Sequence, residues 1–108
     1  MAASYDVVAI KLDEIEQEMK RIGMWQTTPL PPEAMEFEQA FGADKMAFEQ
    51  WLQFVFIARV REIIDAKGEF PSSSQVADQA FKEWKMWGDR EDVDTLLEDL
   101  GSFDALFV

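Results

Sequence analysis

Three places in this chain carry side chains whose types and spacing would suit chemistry. At helical spacing Arg59 falls among Phe48, Leu52 and Val55, and Gln53 falls between Val60 and Ile64. An arginine set in an apolar surface suits an anionic ligand or a partner's carboxylate, because its planar guanidinium offers five donors. The plainer reading is a side chain that snorkels from the last turns, or pairs with Glu62 or a carboxylate of another helix. Glu14 and Glu18 lie one helical turn apart and could face a metal. Carboxylate sites in helical bundles usually draw on histidines as well, and the chain has none. The run Asp89-Arg90-Glu91-Asp92-Val93-Asp94 has the alternating acids of a calcium loop, but not its central glycine or its closing glutamate. Acids opening a helix against its dipole account for it better.

Absences exclude more chemistry than these features support. With no Cys there is no disulfide framework, thiolate nucleophile or cysteine metal site. With no His, the usual general base near neutral pH and the commonest metal ligand are missing. No glycine-rich phosphate loop occurs, and no nucleophile stands beside a base. Any two of the 22 acids could meet as a glycosidase-like pair, but nothing singles out a pair. The reading is therefore no enzyme, with no catalytic residues, no cofactor and no metal.

The elements that would position these residues are helices. The segment Met46–Ile64 is apolar on nearly every side, so neighbours must cover it on several sides. Asp44 is its expected cap and Gly68 its stop, with Pro71 beyond. Before it, residues 5–22 repeat Tyr5, Val8, Leu12, Ile15, Met19 and Ile22 at steps of three and four. Ser4 suits its start and Gly23 its end, and Glu16 and Lys20 make a favourable pair one turn apart. Residues 24–42 form a long connection that Pro29, Pro31 and Pro32 keep from regular helix at its start. A short helix is expected over Glu33–Phe41, and Trp25 should anchor the connection to the core. Residues 72–87 predict a third helix, capped by Ser72 with Gln75, with Ala77, Ala80, Phe81, Trp84 and Trp87 or Gly88 on one side. A last helix should start at Asp89 and run through Gly101, its face made by Val93, Leu96, Leu97, Leu100, Phe103 and Phe107. No strand pattern appears. The fold class is all-α: a small four-helix bundle around a hydrophobic central helix, with the Pro-containing connection between helices 1 and 2. At 108 residues, 48% hydrophobic, the chain suits a single domain over 1–108.

Ten bases against the 22 acids leave a net charge of −12. That repels phosphate backbones, so direct nucleic-acid binding is disfavoured, and a partner with a basic surface is compatible with it. It also simply keeps a small domain soluble. The N-terminus lacks a signal-peptide pattern and no apolar run would span a bilayer, so the expected location is cytoplasmic, without membrane contact.

The stretch Trp51-Leu52-Gln53, Val55-Phe56-Ile57 and Arg59 resembles the YqcC-like family, small bacterial proteins of unknown function. The likeness begins with Trp25 and the proline-containing connection and continues through Phe41, Asp44 and Met46. The C-terminal Leu96, Leu97, Leu100, Phe103, Asp104, Ala105, Leu106 and Phe107 are similar to that family's closing pattern. Ala58 departs from it, standing where a proline is expected before the arginine. The resemblance implies an all-helical bundle. It also implies a link to tRNA pseudouridylation, since such proteins are often encoded beside a tRNA pseudouridine synthase acting on a single uridine. It supplies no catalytic residues.

Two functions follow as expectations. The first is a protein-interaction or accessory module, with an RNA-modifying enzyme as the partner the resemblance implies; homodimerisation through the first or last helix is compatible with it. The second is an anionic small-molecule binding module, with an aromatic pocket between the 24–42 connection and the central helix. The candidate binding residues are Trp25, Phe41, Trp51, Gln53 and Arg59.

Overall fold

The computed structural model describes residues 4–107. Among them the regular structure is all helical, without strands. Four helices carry the fold: α1 is Tyr5–Arg21, α2 covers 48–66, α3 covers 76–86 and α4 is Asp94–Ala105. No helix among the described residues is long and apolar enough to cross a membrane.

The first and last helices follow their sequence patterns closely. Ser4 Oγ accepts the Val7 N–H at the start of α1, and Gly23, with φ at +77°, turns the chain at its end. Glu16 and Lys20 pair at 2.8 Å. The stripe Val8, Leu12, Ile15 and Met19 is fully buried and packs along α4, which returns Leu96, Leu100 and Phe103. α4 continues unbroken through Gly101. It starts later than Asp89, however: Val93 is its N-cap residue, and the acids 89–92 lie in the turn before it.

α2 is buried on several sides, through Leu52, Val55, Phe56 and Ile57. Its neighbours reach it through rings. Phe48 meets Trp84 of α3 at 5.5 Å between centroids, and Phe56 meets Phe103 of α4 at 5.0 Å. Edge-to-face pairs of this kind add stabilisation beyond the area they bury. The rings continue from Phe103 to Phe107, Phe70 and Tyr5, whose hydroxyl donates to the Gly68 carbonyl at 2.6 Å.

A π-helical stretch over Leu52–Ile57 interrupts α2. Each residue added to a turn sets the following side chains back by about 100°. Burial therefore runs Phe48, Leu52, Phe56, Val60 in steps of four, and Arg59 is carried out of the face. This corrects the expectation that Arg59 projects among Phe48, Leu52 and Val55. A second π stretch, Lys82–Met86, acts likewise in α3. Val76, Ala80 and Trp84 are buried there, while Phe81 and Trp87 are half or more exposed.

Three further expectations are corrected. Asp44 does not cap α2, whose N-cap residue is Ala47; its carboxylate instead accepts the N–H groups of Glu38 and Gln39 at 3.1 and 3.2 Å. The connection holds no helix over 33–41. It holds two 3₁₀ turns, Pro32–Met35 and Ala40–Gly42, folded on α2 around Ala34, Met46 and Val55. Ser72 and Gln75 do not form a capping box, and α3 starts at Val76. Its cap comes from α4: Asp104 accepts the Val76 and Ala77 N–H groups at 3.1 and 2.8 Å, and the Ser74 hydroxyl.

Candidate functional site

The five candidate residues divide into groups with different roles. Gln53 is 8% exposed and faces the connection. Its Nε2 donates to the Gln26 carbonyl at 2.7 Å and its Oε1 accepts the Gln26 N–H at 2.8 Å. An amide suits this task because it offers a donor and an acceptor side by side. Gln50, one turn earlier, donates to Gln26 Oε1 at 3.0 Å and accepts the Ala47 N–H at 2.9 Å. Gln26 Nε2 in turn donates to the Thr28 carbonyl at 2.6 Å. Three glutamines thus fasten the start of the connection to the start of α2.

Phe41 and Trp51 do meet, with centroids 4.9 Å apart and edge to face. Trp51 also stacks with Phe48 and Phe56 at 5.8 and 5.9 Å. The two rings therefore pack together against the core. Phe41 is held at φ +57°, an uncommon conformation for a bulky residue, which the ring contacts help to fix. Arg59 is exposed and has no ion-pair partner among the described residues. It does not join the other four.

Trp25 alone of the five lines a cleft of about 370 Å³, with Met24, Gln26, Glu49, Gln50 and Arg90. Lys20 Nζ sits 5.4 Å from the centre of the Trp25 ring, a cation–π contact. Arg90 is held by Asp92 at 3.2 Å, and that guanidinium keeps the Asp92 carboxyl below the usual range. The cleft lies at the glutamine junction, where the cation is Arg90 and not Arg59. Sequence reasoning missed Gln26, Gln50 and Arg90. A signal existed for Gln50, three residues after the start of a helix, but Gln26 and Arg90 enter only through tertiary packing.

Glu14 and Glu18 also separate. Arg21 takes the Glu18 carboxylate through both Nε and Nη2, and this hydrogen bonding lowers the Glu18 pKa. Glu14 pairs with Lys11 at 2.9 Å. Among the described residues no group of three or more acids is placed to hold a metal ion.

With this geometry in view, the comparisons with known proteins fix the kinship. The DUF446 family model, described as tRNA pseudouridine synthase C, matches residues 7–106. The chain belongs to this family. The chain is similar to the uncharacterised protein YqcC of Escherichia coli K12, 28% identical over 104 residues, which are 96% of this chain and 94% of that protein. The solution NMR structure of E. coli YqcC superposes with a TM-score of 0.83 at 27% identity, covering 95% of this chain and 86% of that one. The YqcC-like resemblance therefore extends from sequence motifs to the whole fold. An uncharacterised Haemophilus influenzae protein is 32% identical over 76 residues, 68% of this chain and 72% of that protein. A protein of Pectobacterium carotovorum named tRNA pseudouridine synthase C is 32% identical over 74 residues, 68% of this chain but 20% of that polypeptide.

Proposed function

We propose that this DUF446 chain is an accessory module that binds a tRNA-modifying enzyme of the pseudouridine synthase kind. The observation that carries the reading is the Pectobacterium relative. There, a stretch similar to this chain accounts for a fifth of a polypeptide named as the synthase, so four fifths lie outside the match. Two activities joined on one chain are held at high effective concentration, as partners of a working complex need to be. On this reading the chemistry belongs to the other four fifths, and this chain supplies contact.

The charge supports the same division of labour. A net −12 repels tRNA phosphates, whereas an enzyme that binds tRNA needs cationic surface, which attracts this chain. The absence of His and Cys removes the commonest general base near neutral pH and the thiolate nucleophile.

The test is co-expression of the tagged chain with the tRNA pseudouridine synthase of its own host, followed by size-exclusion chromatography and a tRNA modification assay. The expected result is co-elution at fixed stoichiometry and a changed rate of pseudouridine formation. Separate elution at micromolar concentrations, with an unchanged rate, would overturn the reading.

A further inference from the structure

An open groove of about 510 Å³ runs between α1 and α4, lined by Ile10, Asp13, Glu14, Gln17, Glu18 and Asp99, with Arg21 at one end. It combines two features. The first is apolar exposure: Ile10 in its lining is 57% exposed, and Val7, one turn before it on α1 and beyond the lining, is 44% exposed. The second is an excess of negative charge, with four carboxylates against one guanidinium.

The distribution of ion pairs sharpens this. Arg21 is spent on Glu18, Lys11 on Glu14, and Arg61 reaches Asp13 at 3.1 Å. Asp99 has no cation within ion-pair distance and no hydrogen-bond partner among the described residues. Burial first, and then Glu14 and Glu18, push its pKa up, while Lys11 pulls it down less strongly. The fold thus leaves a half-buried carboxylate beside like charges, an arrangement that a cation from outside would relieve.

We propose that this groove seats a lysine- or arginine-bearing amphipathic segment of the partner protein, its apolar side against Ile10 and Val7 and its cations toward Asp99, Glu14 and Asp13. Charge complementarity selects this occupant. Nucleic acid is repelled by the same carboxylates, and a second copy of the chain would bring another −12. A groove between two helices also matches the way amphipathic helices are taken up, with apolar anchors at steps of three and four. The identification of the partner as a tRNA-handling enzyme rests on the proposed function; the location and chemistry of the surface do not.

The experiment compares two double charge reversals with the same change in net charge. Glu14→Lys with Asp99→Lys alters the groove; Glu36→Lys with Glu69→Lys alters exposed acids elsewhere. Circular dichroism checks that both fold. Each is titrated by fluorescence anisotropy against the host synthase, and separately against a synthetic amphipathic Lys/Leu helix. The expected result is affinity about tenfold or more weaker for the groove pair, with the control pair close to the unaltered protein. If the synthase binds and the two pairs respond alike, the groove assignment is overturned and the accessory reading stands. If the synthase binds neither them nor the unaltered protein, the accessory reading falls and the peptide decides. Peptide binding lost in the groove pair alone supports the groove, and an equal response of both pairs rejects it.

Discussion

Gln53 holds Gln26 by both backbone polar groups, 27 residues away in sequence, through contacts of 2.7 and 2.8 Å. One side-chain amide does here what a neighbouring strand would do in a sheet. The connection has no strand or long helix of its own, so its backbone needs such partners. Gln53 is thus the point where the core of α2 and the proline-rich segment become one structure.

Replacing Gln53 by Leu should cost about 1–3 kcal/mol, because the Gln26 N–H and C=O lose their partners in a partly buried place. Urea denaturation measures the loss. Amide exchange adds location: the Gln26 N–H should exchange faster while the amides of α1 keep their protection. Unchanged exchange at Gln26 would mean that the clamp is not populated in solution.

Asp104 plays the corresponding part at the other end of α2's neighbours. From α4 it caps α3, which has no cap of its own. Asp104→Ala should lose about 1–2 kcal/mol, in the range of helix-cap removals. Ser74→Ala, which removes one of the donors and no helix N–H bond, should cost less. Equal loss in the two variants would show that the hydroxyl, and not the cap, dominates.

How far the sequence reaches is visible in these residues. The stripes of α1 and α4 were legible because a regular α-helix keeps its phase, and Val8 to Met19 and Val93 to Phe107 are buried as their spacing predicts. Arg59 and Trp87 were misplaced because π turns reset the phase within α2 and α3, and no residue type announces such a turn. Asp44 and Asp104 show a second limit. A carboxylate before an apolar run resembles a local cap, yet Asp44 is taken up by the connection, and the true cap of α3 arrives from 28 residues further along. Of the candidate site, the pairing of Phe41 with Trp51 and the turning of Gln53 toward the connection concern residues that the sequence had marked. The charged groove was not legible, since Asp99 joins Glu14 and Glu18 only when α1 lies along α4.

Two glycines should respond to alanine with opposite sign. A Cβ at Gly88 would lie 2.8 Å from the Glu83 carbonyl oxygen and 3.3 Å from that of Trp84, both backbone atoms closing the end of α3. Gly88→Ala should therefore destabilise by about 1–3 kcal/mol, as overpacking does. At Gly101, inside α4, a Cβ would meet nothing within 4 Å. Gly101→Ala should stabilise by about 0.5–1 kcal/mol through helix propensity. Thermal midpoints of the two variants, moving in opposite directions, check the pair together.

The carboxyl groups make stability depend on pH in two opposed ways. Glu18 is lowered by its hydrogen bonds to Arg21, Asp44 by the backbone N–H groups of Glu38 and Gln39, and Asp92 by Arg90. A lowered carboxyl contributes stability that is present above its unfolded pKa and lost as pH falls through its folded value. Asp99 is raised, so its charge opposes folding; that penalty is absent below its unfolded pKa and complete above its folded one. Three lowered groups against one raised predict a net loss of stability as pH drops below about 4. Asp99→Asn removes the penalty. It should raise the urea midpoint relative to the unaltered protein at neutral pH, with the difference closing as pH falls through the carboxylate range. Glu18→Gln should do the reverse, lowering the midpoint at neutral pH and converging with the unaltered protein in acid. A midpoint for Asp99→Asn that matches the unaltered protein across the whole range would show that Asp99 is solvated, and that the groove carries no stored charge penalty.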